Sequence, residues 1–146
     1  MGKLVEILTN EGRKAQVVKE CLDIIEAEVE SKGGLSGMAI KAGYKAVKSI
    51  RPGFIQEVVE HLLPEFAEAI EPIYMEAKQK AEPIVPYFEK QASRVADALL
   101  AITDARAQRS RSGVIKATYE RLRPLAKSNV EQAVPRVARL IEKHGS

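Results

Sequence analysis

The sequence is poor in the residues that much of enzyme chemistry requires. Its 146 residues include one cysteine, two histidines and no tryptophan, and only 5% are aromatic. The single Cys21 excludes an intramolecular disulfide framework and a cysteine-rich zinc cluster. A ferritin-like di-iron site takes a Glu-x-x-His pair from each of two helices, and His61 and His144 do not supply them. These shortages argue against thiol and metal chemistry, and we expect no cofactor.

Long hydrophobic runs are also missing. The longest nearly apolar stretch, residues 95–102, is interrupted by Asp97 and is far shorter than the ~20 residues of a membrane span. The first residues contain no apolar segment before Asn10 and Glu11, so no secretory signal is evident. With one thiol and no export signal, we expect a cytoplasmic protein with Cys21 as a small core residue.

What the sequence does contain is apolar residues at helical spacing almost throughout. The stripes follow the i, i+3/i+4 rule, and no alternating strand pattern interrupts them. We therefore predict an all-α bundle of five to six helices, several of them kinked or started by proline, that forms one domain over residues 1–146. No repeat and no linker divides the chain.

Local signals predict where the helices begin and end. The first helix stops at Lys32-Gly33-Gly34, and Ser36 is a candidate N-cap for the second, which ends before Arg51-Pro52-Gly53. Another break falls at residues 108–113, with Ser110 or Ser112 as the next N-cap.

Seven prolines add further expectations. Pro64 should kink the third helix or divide it in two, and Pro83 and Pro86 should open one long helix that reaches Ile102. Pro124 should bend the following stripe, and Ser128 should start a separate last helix.

Catalytic motifs are weak in this chain. The Gly34-Leu35-Ser36-Gly37 segment lacks the Gly-x-Ser-x-Gly spacing of a nucleophile elbow and the Gly-Lys-Ser/Thr ending of a phosphate loop. One acidic cluster on the third helix has the residue types for a single divalent ion, although a solvated face is the simpler interpretation: Glu57, Glu60, His61 and Glu65. A non-enzymatic role is favoured.

The charge is distributed unevenly. Residues 1–80 contain 11 Lys+Arg and 13 Asp+Glu, a net −2, whereas residues 81–146 contain 12 and 7, a net +5. The arginines of the second half suit phosphate groups, so weak nucleic-acid or polyanion binding is one hypothesis. Alternatively these cations form surface ion pairs, Asp104 with Arg106 or Arg109 and Asp97 with Arg94.

The prolines and small residues suggest a second kind of ligand. Kinked helices lined by alanine can surround a cavity for an acyl chain or a similar amphiphile, and basic and tyrosine side chains at its rim would hold the headgroup. The candidate ligand-binding residues are Arg106, Arg109, Arg111, Lys41, Lys45, Tyr44 and Tyr119. The same apolar groove would serve a partner helix. The leading hypothesis is thus a non-catalytic binding module, with polyanion binding as the alternative.

Several strings also carry a resemblance that covers most of the chain. They are Ser36-Gly37 through Lys48, Arg51-Pro52-Gly53, Leu62-Leu63-Pro64-Glu65-Phe66-Ala67, residues 95–106 and Ala133-Val134-Pro135-Arg136. Together they resemble a family of small, all-helical, uncharacterised bacterial proteins with no assigned reaction. The resemblance implies a bacterial, cytoplasmic, single-domain protein and no mechanism. Thr103-Asp104-Ala105-Arg106 is its best candidate for a shared site.

Overall fold

A computed structural model describes residues 2–145 of the chain, and helices account for most of them. They are α1 (Lys3–Thr9), α2 (Lys14–Ser31), α3 (Gly34–Lys48), α4 (Phe54–Gln79), α5 (Ile84–Lys90), α6 (Ala92–Arg109) and α7 (Gly113–Gly145). Between residues 2 and 145 there is no strand, so the all-helical prediction is confirmed. The predicted number of five to six helices is too low, since this part of the chain forms seven.

One hydrophobic core joins six of these helices. Its largest fully buried side chains are Tyr74, Phe88, Leu4, Ile73, Ile141, Val17, Val95 and Val134. The long α4 contributes one face at helical spacing, from Leu63 through Ile70 to Ala77. Within residues 2–145, α3 is the helix that contributes no residue to this core. Helix α3 contacts α2, α4 and α7 at the periphery.

Helix α1 is absent from the sequence prediction. Its Leu4, Val5 and Leu8 are buried, which gives a short apolar stripe over two turns. The backbone N–H of Leu4 donates to Glu71 Oε1 at 2.7 Å, so a carboxylate from α4 satisfies one of the free amides at the start of α1. A helix of 7 residues is too short to be stable alone, and these contacts with the body of the protein hold it.

Three predicted breaks between helices are confirmed. The chain leaves α2 at Lys32, and Gly34 has a φ of 69°, a backbone conformation that favours glycine. The turn before α4 uses Gly53 in the same way, with a φ of 76°. At the third break Ser112 Oγ accepts the backbone N–H of Ile115 at 3.2 Å, which is the predicted N-cap. Ser36 is not a cap, because α3 already begins at Gly34.

The prolines divide the chain only partly as predicted. Pro64 and Pro72 lie inside one continuous α4, so Pro64 does not divide that helix in two, and a kink there stays a prediction. The segment after Pro83 forms two helices, with a turn at Gln91 that lets both Phe88 and Val95 reach the core.

Ser128 starts no new helix, because α7 continues from Gly113 to Gly145. Pro124 removes one hydrogen bond from this helix, but ion pairs on either side of it fasten α7 to α6. They join Arg123 to Asp104 at 2.8 Å and Lys127 to Asp97 at 2.6 Å.

The C-terminal end of α7 is fastened to α2 through Glu20. Its carboxylate accepts hydrogen bonds from His144 Nε2 at 2.8 Å and from Lys143 Nζ at 2.6 Å. Burial raises the pKa of Glu20, but the hydrogen bonds from Lys143, Gln16 and His144 outweigh it and bring the pKa from 4.5 to about 2. His144 is therefore a buried partner of a carboxylate and not part of a free tail.

Candidate functional site

The outer face of α3 exposes large apolar side chains beside lysines. Leu35 is 86% exposed and Met38 is 68% exposed, the two highest values among the exposed large hydrophobic residues of the described chain. At 100° per residue they share one side of the helix with the exposed Lys41 and Lys45. Helix α3 contains three lysines and no acidic residue. This face therefore combines apolar surface with uncompensated positive charge.

The lysines of α3 are weakly engaged by the rest of the protein. Lys41 and Lys45 have no hydrogen-bond or ion-pair partner for their side chains anywhere in residues 2–145. Lys48 lies 3.9 Å from Glu26, with both side chains more than half exposed, and its Nζ lies 5.6 Å from the ring centre of Tyr44. Such an exposed pair contributes little, so all three ammonium groups are accessible to an anion.

Tyr44 belongs to the side of α3 that faces the body of the protein. It is half-buried, and burial together with the nearby Glu26 raises the pKa of its hydroxyl. Of the seven predicted ligand-binding residues, the structure thus brings three together on α3, namely Lys41, Tyr44 and Lys45.

Glycine allows α3 to lie close to its neighbours. A Cβ on Gly43 would stand 2.6 Å from Leu122 Cδ1 and 3.1 Å from Thr118 Cγ2, so only glycine fits there without a shift of these side chains. A Cβ on Gly37 would stand 2.7 Å from the backbone carbonyl carbon of Lys32. These two glycines are the buried residues of α3, and its larger side chains are half-buried or exposed.

Tyr119 and the Thr103-Asp104 string meet in a separate polar cluster between α6 and α7. The Tyr119 hydroxyl donates to Asp104 Oδ1 and lies 2.7 Å from Thr103 Oγ1. Arg123 donates two hydrogen bonds to the same carboxylate, from Nε at 2.8 Å and from a terminal nitrogen at 3.1 Å. Arg123 and Tyr119 hold the pKa of Asp104 below its ordinary value, while burial and Asp104 raise that of Tyr119. The cluster is internally satisfied and joins two helices.

Arg106 and Arg109 belong to α6, which does not contact α3, and Arg111 lies in the turn between α6 and α7. Arg106 pairs with Glu65 of α4 at 2.9 Å, and Arg109 Nε donates to the carbonyl of Ala105 at 3.3 Å. Arg111 is exposed and has no side-chain partner in the described residues. Arg106 therefore joins α6 to α4, and Arg109 binds the backbone of its own helix.

The predicted ion pairs were assigned to the wrong partners. Asp104 binds Arg123 instead of Arg106 or Arg109, and Asp97 binds Lys127 instead of Arg94. The true partner of Arg94 is Glu76 of α4, bound at 2.6 Å. Hydrogen bonds from Arg94 and Tyr87 bring the pKa of Glu76 to about 2. Each correction has the same reason: the partners come from other helices, which sequence spacing does not show.

The acidic cluster of α4 is dispersed over separate partners. Glu57 pairs with Arg51 at 2.9 Å, Glu65 pairs with Arg106, and Gln56 donates to Glu60 at 3.0 Å. In residues 2–145 no three His, Cys, Asp or Glu side chains gather where they would share a metal ion.

Cys21 packs against the core as a half-buried residue. Burial, assisted by the charge of Glu20, raises the pKa of its thiol to about 11.

Two of the concavities on the surface of the bundle border α3 or the end of α7. The larger, of about 390 Å³, runs between α2 and the end of α7 and is lined by Ile24, Ala27 and Leu140 with charged side chains around them. The smaller, of about 170 Å³, lies between α3 and the start of α4 and includes Tyr44, Lys48 and Phe54. Both open onto solvent, so an enclosed cavity for an acyl chain stays a prediction. Across residues 2–145 no helix is long and apolar enough to cross a membrane.

Comparison with known proteins agrees with the family resemblance of the sequence. The profile of a family of unknown function, DUF6918, matches residues 4–145. Searches of the curated proteins and of the solved structures find no significant match.

Proposed function

Because the chain belongs to the family of unknown function DUF6918, we propose its role from the geometry itself: it is a non-catalytic module that docks on an anionic lipid bilayer through the outer face of α3. The observation that carries this proposal is the exposure of Leu35 and Met38 beside Lys41 and Lys45, which have no partners. A soluble helix normally turns polar residues outward.

The chemistry of this face matches that of an anionic lipid interface. Apolar side chains of an interfacial helix enter the boundary between headgroups and acyl chains, while lysines attract anionic headgroups. A lysine near such a surface contributes about 1 kcal/mol, and insertion of a leucine or methionine contributes about 1–2 kcal/mol. Two of each give roughly 5 kcal/mol, which corresponds to weak, reversible binding in the ~0.1 mM range.

The proposed location follows from the same features. The bilayer would be the inner leaflet facing a bacterial cytoplasm, where the thiol of Cys21 stays reduced. As in the sequence hypothesis, the ligand is an amphiphile. Here it is bound as part of a bilayer surface and not inside a cavity of the protein. The basic rim is then formed by Lys41 and Lys45, with Lys48 beside them.

The alternative, polyanion binding by the C-terminal half, has less support. Many of its cations are already paired with carboxylates of the same chain, namely Arg94, Arg106, Arg123, Lys127, Arg136 and Lys143. Arg111, Lys116, Arg121 and Arg139 remain without side-chain partners in the described residues, but the hydroxyl of Tyr119, the aromatic residue of α7, is bound to Asp104.

Vesicle flotation tests the proposal. We expect the wild-type protein to float with phosphatidylglycerol-rich vesicles and not with pure phosphatidylcholine vesicles. Combined Leu35→Ser and Met38→Ser, or combined Lys41→Glu and Lys45→Glu, should each weaken binding by about tenfold or more. Equal binding of the wild-type protein to both vesicle types, or unchanged binding by both double variants, would contradict the proposal.

A matched control separates local charge from net charge. Combined Lys3→Glu and Lys90→Glu makes the same change in net charge on α1 and α5, which do not contact α3. This control should bind anionic vesicles much more tightly than the variant with glutamates at positions 41 and 45. Short duplex DNA tests the polyanion alternative. If this DNA displaces the wild-type protein from anionic vesicles, and both α3 variants bind the DNA with wild-type affinity, the result favours polyanion binding over docking through α3.

A further inference from the structure

Helix α3 is attached to the bundle in a way that no other described helix is. It contributes no residue to the hydrophobic core, while every other helix between residues 2 and 145 contributes at least one. Its first residue, Gly34, and Gly53 in the turn that follows it each have a positive φ and open space around them. Removing α3 from its seat would therefore leave the core intact.

The contacts that seat α3 use glycines and half-buried side chains and no residue of the hydrophobic core. Gly43 lies against Thr118 and Leu122 of α7, and Gly37 lies against the backbone of Lys32. Its ion pair with the rest of the bundle is the exposed one between Lys48 and Glu26, at 3.9 Å. Segments with little apolar burial open at much lower free energy than the global unfolding of a protein.

The residues on the inner side of α3 are suited to a lipid interface. Ile40, Tyr44 and Val47 are half-buried against the bundle. On the helical wheel they extend the apolar side that begins at Leu35 to an arc of about 180°. Lys41 and its two neighbouring lysines occupy the adjoining arc of the wheel, between Tyr44 and Met38. Detached α3 is thus a more complete basic amphipathic helix than seated α3.

We propose that α3 separates from α7 as one unit when the protein docks on an anionic bilayer, so that Ile40 and Val47 enter the interface together with Leu35. This inference rests on the proposed function and adds to it a conformational step. The site then has two states. In the seated state the inner residues of α3 cover Thr118 and Leu122, and in the docked state these α7 residues are uncovered.

Hydrogen exchange of the wild-type protein with and without phosphatidylglycerol vesicles distinguishes release from docking of a rigid bundle. Release predicts opposite changes: slower exchange in residues 34–48 and at least about threefold faster exchange in peptides containing Thr118 and Leu122. Rigid docking predicts slower exchange in α3 with no acceleration in α7, and that result would overturn the inference. Flotation of the same samples reports on binding itself. If the wild-type protein does not bind, the proposed function and this inference fall together.

A reversible tether gives a second test in one protein. Combined Gly43→Cys, Thr118→Cys and Leu122→Ala places two thiols at the α3–α7 contact and makes room for the new Cβ at position 43, and the oxidised form holds α3 in its seat. We expect the reduced form to bind anionic vesicles at least about tenfold more tightly than the oxidised form. Equal affinities in the two forms would contradict release. The variant with Thr118→Cys and Leu122→Ala alone, under the same oxidising and reducing conditions, is the control for effects on Cys21.

Discussion

Replacing Glu20 with glutamine removes one charge at the point where α2 holds the end of α7. The carboxylate of Glu20 accepts hydrogen bonds from Gln16, Lys143 and His144, at 2.6, 2.6 and 2.8 Å. Glutamine keeps the size of the side chain but loses its charge. The variant therefore isolates the electrostatic part of this attachment.

The size of the effect follows from the pKa of Glu20. Hydrogen bonds from Lys143, Gln16 and His144 overcome the opposing effect of burial and lower the pKa from 4.5 to about 2. At about 1.4 kcal/mol per pKa unit, the native state favours the ionised carboxylate by roughly 3 kcal/mol. The side chain is 16% exposed, so solvent screens little of this interaction. We expect Glu20→Gln to lower the free energy of unfolding at pH 7 by about 2–3 kcal/mol.

The pH dependence has a definite sign. Because folding lowers the pKa of Glu20, its stabilisation is fully present above the unfolded pKa of 4.5 and is lost as the pH falls towards about 2. Urea unfolding of both proteins, followed by circular dichroism at pH 7, 4.5 and 2.5, measures the difference. The gap between wild type and variant should be widest at pH 7 and shrink at each step.

A neighbouring pair provides the control for this experiment. Asp23 pairs with Lys19 at 3.3 Å on the exposed side of the same helix, so Asp23→Asn should change stability by less than about 1 kcal/mol. A Glu20→Gln effect no larger than that of the control, or a gap that stays constant from pH 7 to 2.5, would refute the assignment of Glu20 as the anchor of α7.

Two further predictions concern groups described above. Tyr119→Phe removes the hydroxyl that binds Asp104 and should lower the free energy of unfolding by about 1 kcal/mol, with no loss of vesicle binding; denaturation and flotation check both parts, and a loss of vesicle binding would mean that this cluster belongs to the site. Because burial raises the pKa of Cys21 to about 11, iodoacetamide should alkylate it at pH 8 roughly 100-fold more slowly in the native protein than in urea. Mass spectrometry measures both rates, and near-equal rates would place the thiol in solvent.

The sequence was sufficient for the features that local chemistry decides. The turn at Lys32-Gly33-Gly34 and the turn at Arg51-Pro52-Gly53 are predicted at the right place, and the cap at Ser112 is one of the two serines predicted, because glycine, proline and serine act within a few residues of themselves. The apolar spacing of α4 predicted its buried face for the same reason.

What the sequence could not decide depends on contacts between distant parts of the chain. Pro124 interrupts the hydrogen bonds of α7, yet the helix continues, and Asp97 and Asp104 of another helix bind it on both sides of the proline. Helix α1 forms because Leu4 is buried in the core and the carboxylate of Glu71 accepts a hydrogen bond from the backbone N–H of Leu4. No local sequence pattern indicates either contact.

The candidate site shows the same division. Lys41 and Lys45 were recognised as basic residues on one helix, but their lack of partners depends on which acidic side chains fold nearby. The exposure of Leu35 and Met38 was not predicted, because spacing alone does not show which side of a peripheral helix meets solvent. The signal that the sequence offered for unpaired lysines was the absence of acidic residues from α3.

The most direct test of the proposed function uses the absence of tryptophan from the chain. A single tryptophan at Leu35 reports the environment of the outer face of α3, and one at the exposed Ala101 of α6, which does not contact α3, serves as the control. On addition of phosphatidylglycerol vesicles, the emission of the Leu35→Trp protein should shift to shorter wavelength, while that of Ala101→Trp should not. An unchanged spectrum for Leu35→Trp would contradict the account.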